Sequence, residues 1–182
     1  MESALDFGRA LGASVYLLRK SKEGLSTLCL LKLLYLADRQ SLLAFGDTIT
    51  GAKYKVLPKG PVPEEVYALL KGRGAHQDVW DQHIQRNSRK HRASSRATES
   101  QLSLDDKEIL DRTFSEYGAL QGEQLSRLTH SFSEWSPDKE YITPEEILVQ
   151  NGKQELLEIW RELDTIHREN LALFGEEILA GV

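Results

Sequence analysis

Leu31 to Gly72 reads LKLLYLADRQSLLAFGDTITGAKYKVLPKGPVPEEVYALLKG. Leu31, Tyr35 and Leu42 share one stripe at helical spacing, and Leu28 continues it upstream. Leu30, Leu33, Leu34 and Ala37 widen the stripe. A helix apolar on most sides is packed on most sides, so Leu28–Phe45 is expected to be the central helix. Ser26 or Thr27 suits its N-cap and Gly46 its stop. DTITG is turn chemistry. Lys53 to Leu57 then alternates as a short strand, which Pro58 ends or confines to a sheet edge. In GPVPEEVYALLKG, Pro63 suits the first helical position, Glu64 and Glu65 complement the helix dipole, and Val66, Leu69 and Leu70 form an apolar side that Gly72 terminates. Gly60-Pro61-Val62-Pro63 reads as a rigid strand-to-helix corner, with a preorganised ridge for a partner as the second reading.

Outward from this stretch the pattern stays helical. Leu11, Val15 and Leu18, with Leu5 and Phe7, predict a helix over 3–20, broken around Gly24. Ser103 is expected to cap a helix with Asp105 and Asp106 in its first turn and Leu104, Ile109, Leu110 and Phe114 toward the core, closing at Tyr117-Gly118. Residues 121–130 carry Leu125 and Leu128 on a short helix. Thr143-Pro144-Glu145-Glu146 is a strong helix start, and Asn151-Gly152 interrupts that helix. From Lys153 to Phe174, Leu156, Ile159, Leu163 and Ile166 space at three and four, which predicts an amphipathic last helix. Residues 76–98 differ: VWDQHI is strand-like, and RNSRKHRASSRA is basic and poor in apolar residues. Two short strands joined by an exposed turn, adding to the Lys53–Leu57 strand, is one reading; a disordered basic loop is the other. The expected fold is mainly α (α+β): a helical domain around the Leu-rich helix with a small two- or three-stranded antiparallel sheet. Residues 1–150 form the domain, and 151–182 form a C-terminal amphipathic helical extension.

Among the 182 residues, 40% are hydrophobic and the net charge is -5. The charge is unevenly spread. Residues 1–98 carry +7 and residues 99–182 carry -12, which suggests opposed electrostatic faces unless folding intermixes them. No run approaches the roughly 20 apolar residues of a membrane helix. MESALDFGRA lacks a signal pattern, so a cytoplasmic location is expected. The single Cys29 lies in TLCLLKLLYLA and reads as packing rather than a nucleophile.

Five motifs together carry a family resemblance: LLYLADRQ at 33–40, ITGAKY at 49–54, GPVPEEVYALLKG at 60–72, LSRLTH at 125–130, and Trp135. In order and spacing they resemble the Panacea domain of SocA-like antitoxins over about residues 10–150. Pro58-Lys59, the basic 82–98 segment and the extension 153–182 depart from the family pattern. The resemblance implies an antitoxin that binds and neutralises a toxin protein encoded nearby. It also implies a scaffold role for the motif residues Tyr35, Asp38, Gly60, Pro61, Pro63, Thr129, His130 and Trp135. A protease is a further implied partner, because one mode in the family hands the toxin to a protease.

The residues themselves favour docking over chemistry. His76, His83, His91, His130 and His167 make no metal-ligand spacing with Cys29, no carboxylate is placed to orient His130 as a base, and no phosphate loop or dinucleotide fingerprint occurs. No catalytic, cofactor or metal residue is therefore assigned. His130 reads as a packed side chain near a helix end, where positive charge is favoured, and Trp135 as an anchor for the following loop. Asp38 and Arg39 are adjacent and do not face each other, so one is expected to reach a neighbouring element as a structural cap or ion pair, with an interface charge as the second reading. Candidate partner contacts are Lys53, Lys55, Lys59, Arg86, Arg89 and Arg92, with Trp160 as an aromatic anchor. Arg86, Arg89, Lys90, Arg92 and Arg96 also suit phosphate contacts. A nucleic-acid-binding regulator is thus a rival reading, although only His83 and His91 offer rings for base stacking. An enzyme has the least support. Oligomeric state and the role of residues 153–182 (completing the fold, dimerising or binding the partner) are left open.

Overall fold

The structure, a computed structural model, describes residues 5–87 and 89–174. The first residues of the expected opening helix, Ser88 of the basic segment and the end of the C-terminal extension lie outside the described residues.

The fold is mixed α+β and mainly helical. Helix α1 (Phe7–Lys20) leads through a two-residue strand, β1 (Leu25–Ser26), into α2 (Thr27–Phe45). A hairpin of β2 (Tyr54–Leu57) and β3 (Gly60–Pro63) runs directly into α3 (Glu64–Leu70). Then come α4 (Gln77–His83), a second hairpin of β4 (Ile84–Asn87) and β5 (Lys90–Ala93), and helices α5 (Leu104–Tyr117) and α6 (Gly122–His130). Strand β6 (Tyr141–Ile142), helix α7 (Pro144–Gln150), a 3-10 turn (Gln154–Leu156) and α8 (Leu157–Phe174) complete it. Two antiparallel three-stranded sheets result, ordered β1-β5-β4 and β3-β2-β6.

Helix α2 is central, as its broad stripe requires. Ser26 caps it by accepting from Cys29 N, and Gly46 ends it at φ 74°. Leu30, Leu31, Leu33, Leu34 and Ala37 face one core, shared with α1, α3 and Trp80 of α4. Tyr35 and Leu42 face a second core, shared with Tyr54, Ile142, Ile147 and Leu148. Cys29 is half-buried against the first core.

Several expectations need correction. Gly60-Pro61-Val62-Pro63 is an edge strand rather than a corner, with Val62 opposite Lys55 and Gly60 opposite Leu57. Antiparallel alternation puts Pro61 and Pro63 where their missing N–H groups face away from β2, which is where an edge strand tolerates proline. Pro63 is thus the N-cap rather than the expected first helical residue; that position falls to Glu64, and Glu64 N donates to Lys53 O. VWDQHI is mostly helix, because α4 turns Trp80 inward to 2% exposure beside Phe7; burial overrides its strand-like composition. The basic segment does form a hairpin, but it pairs with β1 rather than with β2. Leu104 is 85% exposed. Asp106, two residues and about 200° further round the helix, takes the inward position instead because it meets Arg9.

The charge split does not yield two opposed faces. Bases of the first half pair with acids of the second: Arg9 with Asp106 (2.8 Å), Arg19 with Glu99 (3.2 Å), Arg39 with Glu134 (2.6 Å), and Lys59 with Glu123.

Candidate partner-binding surface and its buried scaffold

Lys32 rises from α2 in the middle of an apolar run and is completely buried. Its Nζ donates to Pro61 O at 2.8 Å, the outward carbonyl of β3. Burial without a carboxylate lowers its pKa to about 7. Gly60, at φ 94°, lets β3 come this close: a Cβ there would stand 2.6 Å from Lys32 Nζ, 2.7 Å from Thr129 Oγ1 and 3.0 Å from His130 Cδ2. Thr129 is buried and donates to Ser126 O. His130 stacks on Trp135 with ring centroids 4.1 Å apart. The sequence expectation for His130 favoured positive charge. Burial and the nearby Lys32 instead lower its pKa, so the ring is biased toward neutrality. Gly60, Pro61, Thr129, His130 and Trp135 therefore converge on one end of α2.

The next turns of α2 hold two further anchors. Asp38, wholly buried, accepts from Ile49 N, Thr50 N and Thr50 Oγ1, so its carboxylate shapes the 47–51 loop. Burial pushes it up to about 6 in spite of these bonds. Arg39 turns the other way. Its Nε meets Glu134 Oε1 at 2.6 Å, its NH2 reaches Asn151 Oδ1 at 2.8 Å, and it lies 4.0 Å over the Phe132 ring. Tyr35 donates to the same Glu134 and meets Tyr54 edge-on at 5.2 Å. Burial raises the Glu134 pKa, but Arg39 and Asn151 outweigh it and leave the carboxyl below its ordinary value.

The basic candidates fall into two groups. Lys53, Lys55 and Lys59 belong to the β2–β3 hairpin and its approach. Lys55 pairs with Glu64 at 2.7 Å beside Tyr141, and Lys59 pairs with Glu123, so both charges are answered within the chain. Lys53 lines a groove of about 290 Å³ beside α8, with Tyr54, Tyr141 and Trp160. Arg86, Arg89 and Arg92 belong to the β4–β5 hairpin and are exposed. Arg92 is pinned by donating to Lys22 O and Glu23 O, and Lys90 by Glu23 at 3.1 Å. Arg86 and Arg89 have no carboxylate partner among the described residues. Beneath them His91 is buried and shares a 2.9 Å hydrogen bond with Thr27 Oγ1; burial, then Arg86 and Lys71, lower its pKa. Trp160 is not a free anchor. It is half-buried against the second core and walls the grooves on both sides of α8.

A family model for the SocA-like antitoxin Panacea domain matches residues 30–136. The chain belongs to the SocA-like antitoxin family. Membership carries an antitoxin role in a toxin–antitoxin system and implies a toxin partner. No curated protein and no solved structure matches the chain. The matched segment contains the whole constellation around Lys32, Gly60, His130 and Trp135, as well as the basic hairpin; α1, α7 and α8 lie outside it. No described helix is long and apolar enough to cross a membrane.

Three residues of this antitoxin's scaffold escaped sequence reading. Lys32 had a visible signal, a lone cation inside LCLLKLLYLAD. Glu134 is next to Trp135 in sequence, but nothing local marks its partner Arg39, 95 residues away. Asp106 was visible as a capping residue but not as the inward partner of Arg9, 97 residues away.

Proposed function

We propose that this antitoxin neutralises its toxin by direct docking, and that the β4–β5 hairpin presents the contact surface to an acidic patch on the toxin. The observation that carries this reading is the imbalance of charge pairing. Lys55 and Lys59 are satisfied within the chain. Arg86 and Arg89 project without a carboxylate among the described residues, from a hairpin that Arg92 and Lys90 tie to the 22–23 turn. A pinned hairpin loses little freedom on binding, and unpaired arginines are common interface anchors. The role is binding, with no substrate turnover.

The test uses the full chain and the toxin encoded beside it. Arg86→Ala combined with Arg89→Ala is expected to weaken toxin binding at least about tenfold and to abolish rescue of growth. Lys59→Ala is expected to leave both within about twofold. Unimpaired neutralisation by the double variant would remove the hairpin from the interface. Neutralisation reconstituted from the two purified proteins supports blocking. A requirement for a protease would assign the adaptor mode instead, and transfer of the arginine dependence to promoter DNA would assign a regulator.

A further inference from the structure

Helix α8 has two apolar sides; the body packs against one and meets the other at Ile159, which abuts Gly46. Leu157, Trp160 and Leu171 lie on the half-buried side, together with Asp164 and His167. The spaced stripe does not: Ile159 is 43% exposed, Leu163 38%, Ile166 53% and Leu173 75%. These four, with exposed Asn170, run at 159, 163, 166, 170 and 173. Steps of four, three, four and three are the seam of a heptad repeat, with Leu163 and Asn170 at a and Ile159, Ile166 and Leu173 at d. At about 100° per residue, the seam points roughly a third of a turn away from the face that rests on the body. The seam therefore stays exposed along its length apart from the contact of Ile159 with Gly46. A helix seated on it covers the mouth of the groove that Leu163 and Ile166 form with Asp6, Arg9 and Asp47.

We propose that α8 is a self-association helix and that the seam is covered by α8 of a second copy, parallel and in register. Asn170 argues for a like partner. An asparagine at a pairs favourably with the same asparagine across a two-fold axis and poorly with an apolar residue, and it selects two strands. Leucine at a with isoleucine at d leans toward wider bundles. Here the flanks oppose that: the e side (Trp160, His167) is closed by the chain's own body, and the g side presents Glu155, Glu162 and Glu169. Those carboxylates also set direction. An antiparallel pair brings Glu162 against Glu169, whereas the parallel pair keeps the glutamates of the two copies on opposite edges of the seam. The seam is short, so the dimer is weak, with a dissociation constant on the order of 10–100 µM.

Sedimentation of the full chain over about 5–300 µM reads this equilibrium directly. Wild type should shift from monomer to dimer, and Ile166→Glu, at an exposed position, should remain monomeric with an unchanged circular dichroism spectrum. Asn170→Leu should associate more tightly and lose its strict two-strand stoichiometry. A wild type that is monomeric throughout overturns the proposal. So does a dimer that Ile166→Glu leaves intact, or a seam whose only measurable occupant is the toxin. The first two outcomes leave the antitoxin reading untouched, and the third would add α8 to the toxin contact surface.

Discussion

At the scale of single residues, Lys32 sits in an environment far from ordinary. It is a cation with one neutral acceptor, Pro61 O, and no water contact. Its folded-state pKa of about 7 lies below the 10.5 of the free side chain, so between those values the unfolded chain binds more protons than the folded one. Stability therefore rises with pH from about 7 toward 10, because deprotonation relieves a cost borne only by the folded state. Lys32→Met should abolish that rise. At neutral pH it leaves Pro61 O without its donor, a loss of about 1–3 kcal/mol offset in part by removing the buried charge. Urea unfolding of both proteins at pH 7, 8 and 9 measures this, and parallel pH dependences would refute it. Gly60 belongs to the same contact. Its positive φ and the three atoms crowding its missing Cβ make it the position on β3 least able to carry a side chain.

At the scale of elements, the Arg39–Glu134 pair joins α2 to the 131–140 loop, and Asn151 draws the end of α7 into the same cluster. Glu134 is fully buried, so removing Arg39 strands a charge away from water. Arg39→Ala is expected to cost about 3–5 kcal/mol, seen as a lower urea midpoint with an unchanged slope. Such a link shows why some elements were legible and others were not. Helix α2 announced itself through local periodicity, and the capping boxes at Ser103 and Thr143 used residues three apart. By contrast, α4 is helical because Trp80 finds Phe7 some 70 residues earlier, and β3 is a strand because β2 supplies its ladder. Contacts of that range leave no trace in a local window. The candidate site divides along the same line. The motif residues could be grouped as scaffold, but the pairing that neutralises Lys55 and Lys59 and spares Arg86 and Arg89 depends on Glu64 and Glu123 arriving from other elements.

At the scale of the whole molecule, the basic first half and the acidic second half are sewn together by their own charges. Asp106, Glu134 and Glu146 are each raised by burial, yet their hydrogen bonds and basic neighbours outweigh this and hold them below ordinary carboxylate values. Carboxylates of this kind contribute stability that is complete above their unfolded pKa and lost as the pH falls through the folded one. Asp38, raised to about 6, acts in the opposite sense between about pH 6 and 4. Over the same range His91 and His130, whose pKa values the fold lowers, cost stability as the pH falls, because the unfolded chain protonates them first. The two effects oppose each other, so the expected profile is near level from pH 6 to about 4.5, then steeply falling, and denaturation midpoints taken at pH 6, 5, 4 and 3 would show it. A steady decline beginning at pH 6 would contradict the assignment of Asp38. The rim of the β3-β2-β6 sheet has a consequence of another kind. On the outer side of β3 the two donor positions are prolines, and the Pro61 carbonyl is held by Lys32. A foreign strand finds nothing there to bond, so neighbouring chains crowded together in a cell cannot zip along this margin into stacked cross-β fibrils.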